Sequence, residues 1–104
     1  MSSLFKSEIK ISENFGTDYI ESLVTCIKNH FKVELIKENI VESELIFIEY
    51  EINGIKISFM TEGMIGTSLI GMKKDIETIL TLLKNKYPEF LSENFDGSKL
   101  NIKQ

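Results

Sequence analysis

The dipeptide Asn53-Gly54 interrupts a stretch, Glu44 to Thr61, that is otherwise rich in β-branched and aromatic residues. A two-residue type I′ turn needs positive φ at both central positions, and asparagine and glycine are the residues that tolerate this best. The stretch therefore predicts a β-hairpin. The turn also fixes the register of the two strands, which places Phe47 opposite Met60.

Alternation along the predicted strands assigns every hairpin side chain to one of two faces. The face expected to contact the core carries Ile46, Ile48, Tyr50, Ile52, Ile55, Ile57 and Phe59. The other face is mixed: Glu49, Glu51, Lys56 and Ser58 lie near the turn, and Leu45, Phe47 and Met60 lie further away. An apolar cluster on an otherwise charged sheet face is typical of an interaction site.

The rest of the chain predicts two amphipathic helices and further strands. The helices are expected at Asp18–Phe31 and Met72–Tyr87, and the strands at Phe5–Ser12, Lys32–Ile40, a glycine-punctuated Met64–Gly71 and a C-terminal Lys99–Lys103. In the second strand, simple alternation puts Val33, Leu35 and Lys37 on one face. Two such helices and one sheet can bury their apolar sides only against each other. The sequence thus predicts one α+β domain over residues 1–104, with five or six mainly antiparallel strands and two helices on one face.

Length and composition bound the class of protein. A chain of 104 residues with 42% hydrophobic content can form a single core without disulfides or metals. The single cysteine, Cys26, cannot form an internal disulfide, which favours a reducing compartment. The N-terminus lacks the apolar run of a signal peptide, and the longest apolar run, Leu45 to Ile48, cannot span a membrane. We therefore expect a cytoplasmic protein.

The negative charge is concentrated around the hairpin. From Glu38 to Glu62 there are six acidic residues and one lysine, a balance of −5, whereas the remainder of the chain has a balance of +1, giving the total of −4. Such a cluster attracts a basic partner and repels a phosphate backbone. All twelve basic residues are lysines, so the bidentate arginine contact to phosphate or guanine is missing. Direct nucleic-acid binding is therefore not expected.

Candidate chemical motifs are weak. Cys26 and His30 are four residues apart, but the chain has no second cysteine or histidine to complete a zinc site. They are better explained as a buried small side chain and a group near the end of a helix. Glu49 and Glu51 project from one strand face, yet solvated neighbours of this kind both stay ionised. We therefore expect no cofactor, no metal and no catalytic residues.

A small, acidic, arginine-free α+β domain resembles the immunity proteins with which bacteria neutralise toxins, including those of contact-dependent growth inhibition. The resemblance implies a monomer that forms a one-to-one complex with a toxin domain, often a basic nuclease. It further implies occlusion, with carboxylates in place of the substrate's phosphates around an apolar centre. The residues expected to bind the partner are Glu42, Glu44, Phe47, Glu49, Glu51, Met60 and Glu62.

Other interpretations of the same features stay open. Secretion-chaperone-like proteins are also small acidic α+β domains, usually dimeric, and would use the apolar cluster as a dimer interface or a binding groove. A small enzyme would place Tyr50, Glu49 or His30 at a cleft. Finally, a loop or the C-terminal tail, with Phe90, Leu91 and Phe95, could fold over the Phe47 face and remove it from solvent.

Overall fold

The computed structural model describes residues 6–42, 45–92 and 101–103 of the chain. They form the predicted α+β domain, with a single antiparallel sheet and two helices. The strands are β1 (Lys6–Ser12), β2 (Val33–Glu42), β3 (Leu45–Ile52), β4 (Ile55–Glu62), β5 (Gly66–Gly71) and β6 (Asn101–Lys103). The helices are α1 (Thr17–Ile27) and α2 (Lys73–Lys86), followed by a short 3-10 helix at Pro88–Phe90.

The central hairpin of β3 and β4 has the predicted register, with Phe47 opposite Met60. Asn53 and Gly54 have φ angles of 53° and 84°, the positive values that a type I′ turn requires. Asn53 also ties the turn to the start of β2. Its Oδ1 accepts a hydrogen bond from the Lys32 N–H (2.9 Å), and its own N–H donates to the Lys32 carbonyl (2.8 Å).

The strands follow the order β2-β3-β4-β5-β1-β6, so the hairpin lies inside the sheet and β2 forms one edge. Helix α2 contacts β5, β1 and β4. Helix α1 packs against the same core, and its Glu21 is near enough to Tyr50 of β3 to raise the pKa of that phenol. Both helices are on the same face of the sheet, as predicted, and the core lies between the two layers.

The core is built from the apolar stripe of each helix and from one face of the strands. Its buried hydrophobic residues are Ile9, Ile11, Ile20, Leu23, Val24, Ile27, Ile48, Tyr50, Ile52, Ile57, Phe59, Leu69, Ile76, Ile79, Leu80 and Leu83. Phe59 is fully buried, and the Tyr50 ring meets it edge-on at a centroid distance of 5.6 Å. Ile55 was expected on this face but is 41% exposed, because it lies beside the turn at the end of the sheet.

The glycine-punctuated stretch forms β5, which is regular. The extra residue that shifts the pairing register is in its neighbour β1. The register of β1 against β5 shifts between Lys10 and Ser12. At this point Gly66, with φ of +121°, passes so close to the chain leaving β1 that an added Cβ would lie 2.1 Å from the Ser12 carbonyl oxygen. The glycine therefore permits a close approach of two backbone segments, one of its two usual roles inside a strand.

The simple alternation predicted for β2 is wrong. Leu35 pairs with Tyr50 on the helix side of the sheet, whereas Lys37 pairs with Glu49 on the opposite side. The register shift between Leu35 and Lys37 leaves Ile36 as the extra residue of a bulge, and a bulge reverses the face assignment of everything after it. A second shift lies close to the end of the strand.

The segment from Phe90 to Ser92 packs on the helix side of the sheet. Phe90 and Leu91 contact the core, the Tyr19 hydroxyl donates to the Phe90 carbonyl, and the Ser92 N–H donates to the Ile11 carbonyl on β1 (2.7 Å). Phe90 and Leu91 therefore do not cover the opposite face of the sheet. Phe95, the third residue suggested for that role, lies outside the described residues.

Candidate protein-binding surface

The sheet face opposite α1 and α2, here called the open face, gathers most of the residues expected to bind a partner. Phe47 lies directly opposite Met60, Glu49 opposite Ser58, and Leu45 opposite Glu62. Glu51, two residues further along β3, shares this face. Of the remaining two residues, Glu42 ends β2 but its side chain is not described, and Glu44 lies outside the described residues.

The centre of the open face is apolar. The partly exposed side chains there are Leu45, Phe47, Met60 and Ile70. Phe47 and Met60 are cross-strand neighbours, and the next position along this row, Ser68 of β5, is only 4% exposed. Phe47 and Met60 are about 5 Å apart across the strands, Leu45 is two residues along β3 from Phe47, and Ile70 is diagonal to Met60. The four side chains therefore form an apolar cluster.

The charge of the open face is more balanced than the hairpin sequence alone predicts. Among strand residues whose side chains are described, it carries five carboxylates (Glu8, Glu34, Glu49, Glu51, Glu62) and four lysines (Lys6, Lys10, Lys37, Lys56). The lysines of β1 and β2 come from parts of the sequence far from the hairpin. They were missed because strand order decides which side chains share a surface. The face is thus mildly acidic, with lysines towards its sides.

Three hairpin carboxylates on this face form no ion pair with another described residue. Among the described residues, ion pairs within 4.0 Å join Lys10 to Glu13 (2.8 Å) and Lys32 to Glu34 (3.9 Å); neither includes Glu49, Glu51 or Glu62. Cross-strand neighbours of opposite charge such as Lys56 lower the cost of gathering these carboxylates. A partner with lysine or arginine side chains can therefore pair with carboxylates that have no fixed intramolecular counter-ion in the described part of the chain.

Cys26 and His30 do not form a site. Helix α1 ends at Ile27, four residues before the predicted Phe31, so His30 lies in the turn beyond the helix. The Nε2 atom of His30 is 2.9 Å from the Tyr87 hydroxyl, whereas His30 was expected to interact with the end of its own helix. In the described part of the chain, no group of three or more histidine, cysteine or acidic side chains is arranged to hold a metal ion.

Two hollows at the surface, of about 390 and 430 Å³, are lined by neither His30, Glu49 nor Tyr50. The cavity between the hairpin turn and α2 is too small for an organic ligand. It has a volume of about 60 Å³ and is lined by Phe31, Ile52, Asn53, Ile55, Ile57, Asp75, Thr78 and Ile79. Ligand pockets are usually several times larger, about 300–1,000 Å³. None of its lining residues is His30 or Glu49, two of the residues considered for a catalytic cleft; Tyr50, the third, is buried in the core.

Buried hydroxyl groups near the β1–α1 loop are satisfied by hydrogen bonds. The Gly16 N–H donates to Thr61 Oγ1 (2.6 Å), and the Thr67 hydroxyl donates to the Asn14 carbonyl (2.8 Å). Burial raises the pKa of Tyr19, and a hydrogen bond to Ser12 partly opposes this effect. These contacts hold the loop against the ends of β4 and β5, and a structural role accounts for them.

Comparison with known proteins gives no family assignment. Neither a scan against protein-family models nor searches of curated proteins and of solved structures found a match. Within the described residues, no helix has the length and apolar character needed to cross a bilayer.

A second surface was missed by sequence analysis. The edge strand β2 exposes Leu35 (59%), Ile36 (41%), Ile40 (62%) and Val41 (53%), more than any residue at the centre of the open face. The signal was present in the sequence, because the adjacent apolar pairs Leu35-Ile36 and Ile40-Val41 break the alternation of a half-buried strand. Both pairs coincide with the register shifts against β3.

Proposed function

We propose that this protein binds and neutralises a basic protein partner, a toxin domain of nuclease type, by covering the partner's active site with the open face. The observation that carries the proposal is the cross-strand pair Phe47–Met60, which lies on the sheet face away from both helices, near carboxylates that form no ion pair with a described residue. A desolvated apolar centre with a charged rim is the arrangement that gives most protein interfaces their affinity.

The mechanism is occlusion by charge and shape. Glu49, Glu51 and Glu62 pair with the lysine and arginine side chains that otherwise hold the phosphates of the toxin's substrate. Phe47 and Met60 exclude water from the middle of the contact, which slows dissociation. The lysines at the sides of the open face favour a partner whose basic site is bordered by acidic residues, because like charges placed opposite each other weaken a complex.

Growth rescue tests this function. The protein encoded next to this one is expressed alone and together with it, and purified samples are compared in a nuclease assay. Co-expression is expected to restore growth, and the purified protein is expected to inhibit cleavage at a one-to-one ratio. The double change Glu49→Lys/Glu51→Lys is expected to slow association and to reduce its dependence on salt.

The matched control is Glu77→Lys/Glu89→Lys, at exposed positions of α2 and the 3-10 helix, which changes the net charge by the same amount without touching the open face. Equal loss of association in this control would show that overall charge matters and the open face does not. If the double variant still inhibits fully and associates at the wild-type rate, Glu49 and Glu51 are not part of the interface.

A further inference from the structure

The helix layer stops one strand short of the sheet's β2 edge. On the helix side of β2, Leu35 and Ile40 are 59% and 62% exposed, while Tyr50, the cross-strand partner of Leu35 on β3, is 7% exposed. Burial therefore falls sharply between adjacent strands that lie about 5 Å apart. The result is an exposed, largely apolar surface on the helix side of β2, here called the β2 shelf. It consists of Val33, Leu35, Ile40 and Ile46 together with Glu38 and Glu21.

The dimensions of the two layers fit one more helix. Packed helices lie about 8–10 Å apart, or two strand spacings, so six strands can carry three helices side by side. Helix α2 covers β5, β1 and β4, and α1 packs on the same core with Glu21 near Tyr50 of β3. A further helix packed about 8–10 Å from α1 would lie along the β2 edge of the sheet, where Leu35 and Ile40 present exposed apolar side chains.

Two carboxylates border the β2 shelf. Glu38 lies between Leu35 and Ile40 on the same face of β2, and Glu21 is an exposed residue of α1. Both are close enough to Tyr50 to act on its phenol. Among the described residues, no lysine lies within 4.0 Å of either carboxylate. An occupant of this shelf therefore needs an apolar stripe and a positive charge placed between the two acidic groups.

Two other occupants fit less well. Strand addition along β2 would have to cross both register shifts, and bulges of this kind interrupt the edge hydrogen bonds that strand addition uses. In a second copy of this chain, α1 and α2 already bury their apolar stripes in their own core. A symmetric pairing of two shelves would also bring the Glu38 side chains of both copies together, which is unfavourable.

We propose that the β2 shelf binds an amphipathic helix of a partner protein, which packs beside α1 with apolar side chains on Leu35 and Ile40 and a lysine or arginine between Glu21 and Glu38. The shelf is on the face opposite the open face, so this proposal does not depend on the proposed function. The partner is recognised by a basic border around an apolar stripe, the helix-in-groove mode of recognition.

The probe is a fluorescein-labelled peptide of about 18 residues with leucines at helical spacing on one side and lysines along their border. Its control is a peptide of the same composition with the leucines scrambled around the helix. Fluorescence anisotropy measures affinity, and amide chemical shifts of the labelled protein locate the contact. The amphipathic peptide is expected to shift the resonances of β2 and α1, with weaker binding of the scrambled peptide.

Variants of the shelf complete the test. Leu35→Ser/Ile40→Ser is expected to weaken peptide binding about tenfold, as for the loss of central apolar contacts. Glu38→Lys is expected to weaken it and to reduce its salt dependence. Met64→Ser serves as the matched control, since Met64 is 97% exposed in the turn between β4 and β5. This variant is expected to bind the peptide as well as the wild type does. Unchanged melting temperatures verify that all variants fold.

Three results would overturn the proposal. Equal binding of both peptides, or shifts confined to other elements, would show nonspecific charge attraction. A dimer in light scattering that Leu35→Ser dissociates would assign the shelf to a second copy. Slowed hydrogen exchange at the outer amides of β2 on peptide binding would indicate an added strand instead of a helix.

Discussion

Two glycines with positive φ show how a single residue can be required for different reasons. Gly54 (φ +84°) has open space where a Cβ would lie, whereas at Gly66 (φ +121°) a Cβ would be 2.1 Å from the Ser12 carbonyl oxygen. Alanine at either position loses the tolerance of positive φ, at a cost of about 1–2 kcal/mol. At position 66 it must also displace the backbone after β1.

We expect Gly66→Ala to lower the free energy of unfolding by more than about 3 kcal/mol, since a backbone clash adds to the φ penalty. Gly54→Ala is expected to lower it by only about 1–2 kcal/mol. Urea denaturation of both variants beside the wild type measures the difference. Equal losses would mean that the chain after β1 moves away at little cost and that the close approach contributes nothing to stability.

At the scale of elements, Tyr50 reports on the packing of α1 against β3. Burial raises its pKa above the ordinary 10.0, and the nearby charges of Glu21 and Glu38 raise it further. The folded state therefore holds this proton more tightly than the unfolded state. The contribution to stability is complete below pH 10 and is lost as the pH rises through the folded-state pKa.

We therefore expect the urea midpoint of the wild type to fall on passing from pH 9 to about pH 11. Tyr50→Phe removes the titrating group, so the urea midpoint of this variant should fall less over the same pH range. Glu38→Gln removes one of the two charges near Tyr50, so its midpoint is expected to fall by an amount between those of the wild type and Tyr50→Phe. Parallel pH curves for wild type and Tyr50→Phe would show that α1 does not shield this phenol from water.

The same scale separates what the sequence could predict from what it could not. The hairpin register followed from local rules, since Asn53-Gly54 sets the turn and alternation sets the faces. The β2 bulge at Ile36 and the edge position of β2 depend on pairing with a distant partner, which local patterns do not contain. For the same reason the sequence could not place Lys37 next to Glu49, or Lys10 on the open face.

At the scale of the whole molecule, the sheet separates a face that builds the core from one that neither helix covers. Phe59 and Phe47 sit in neighbouring central strands but point in opposite directions. Phe59 is fully buried beneath the helices, while Phe47 is partly exposed on the open face. The two residues therefore form a matched pair with the same chemistry and different surroundings.

We expect Phe59→Ser to lower the free energy of unfolding by at least about 3–5 kcal/mol, because it leaves a cavity and places a hydroxyl in the core. Phe47→Ser is expected to cost about 1 kcal/mol or less in stability but to weaken the complex with a toxin partner about tenfold or more. Thermal unfolding measures the first quantity, and surface plasmon resonance the second. A collapse of the melting temperature in Phe47→Ser would place this residue in a core that extends through the sheet. Retained stability with unchanged affinity would instead show that the partner binds elsewhere, and the β2 shelf, on the other side of the sheet, would then be the first surface to test.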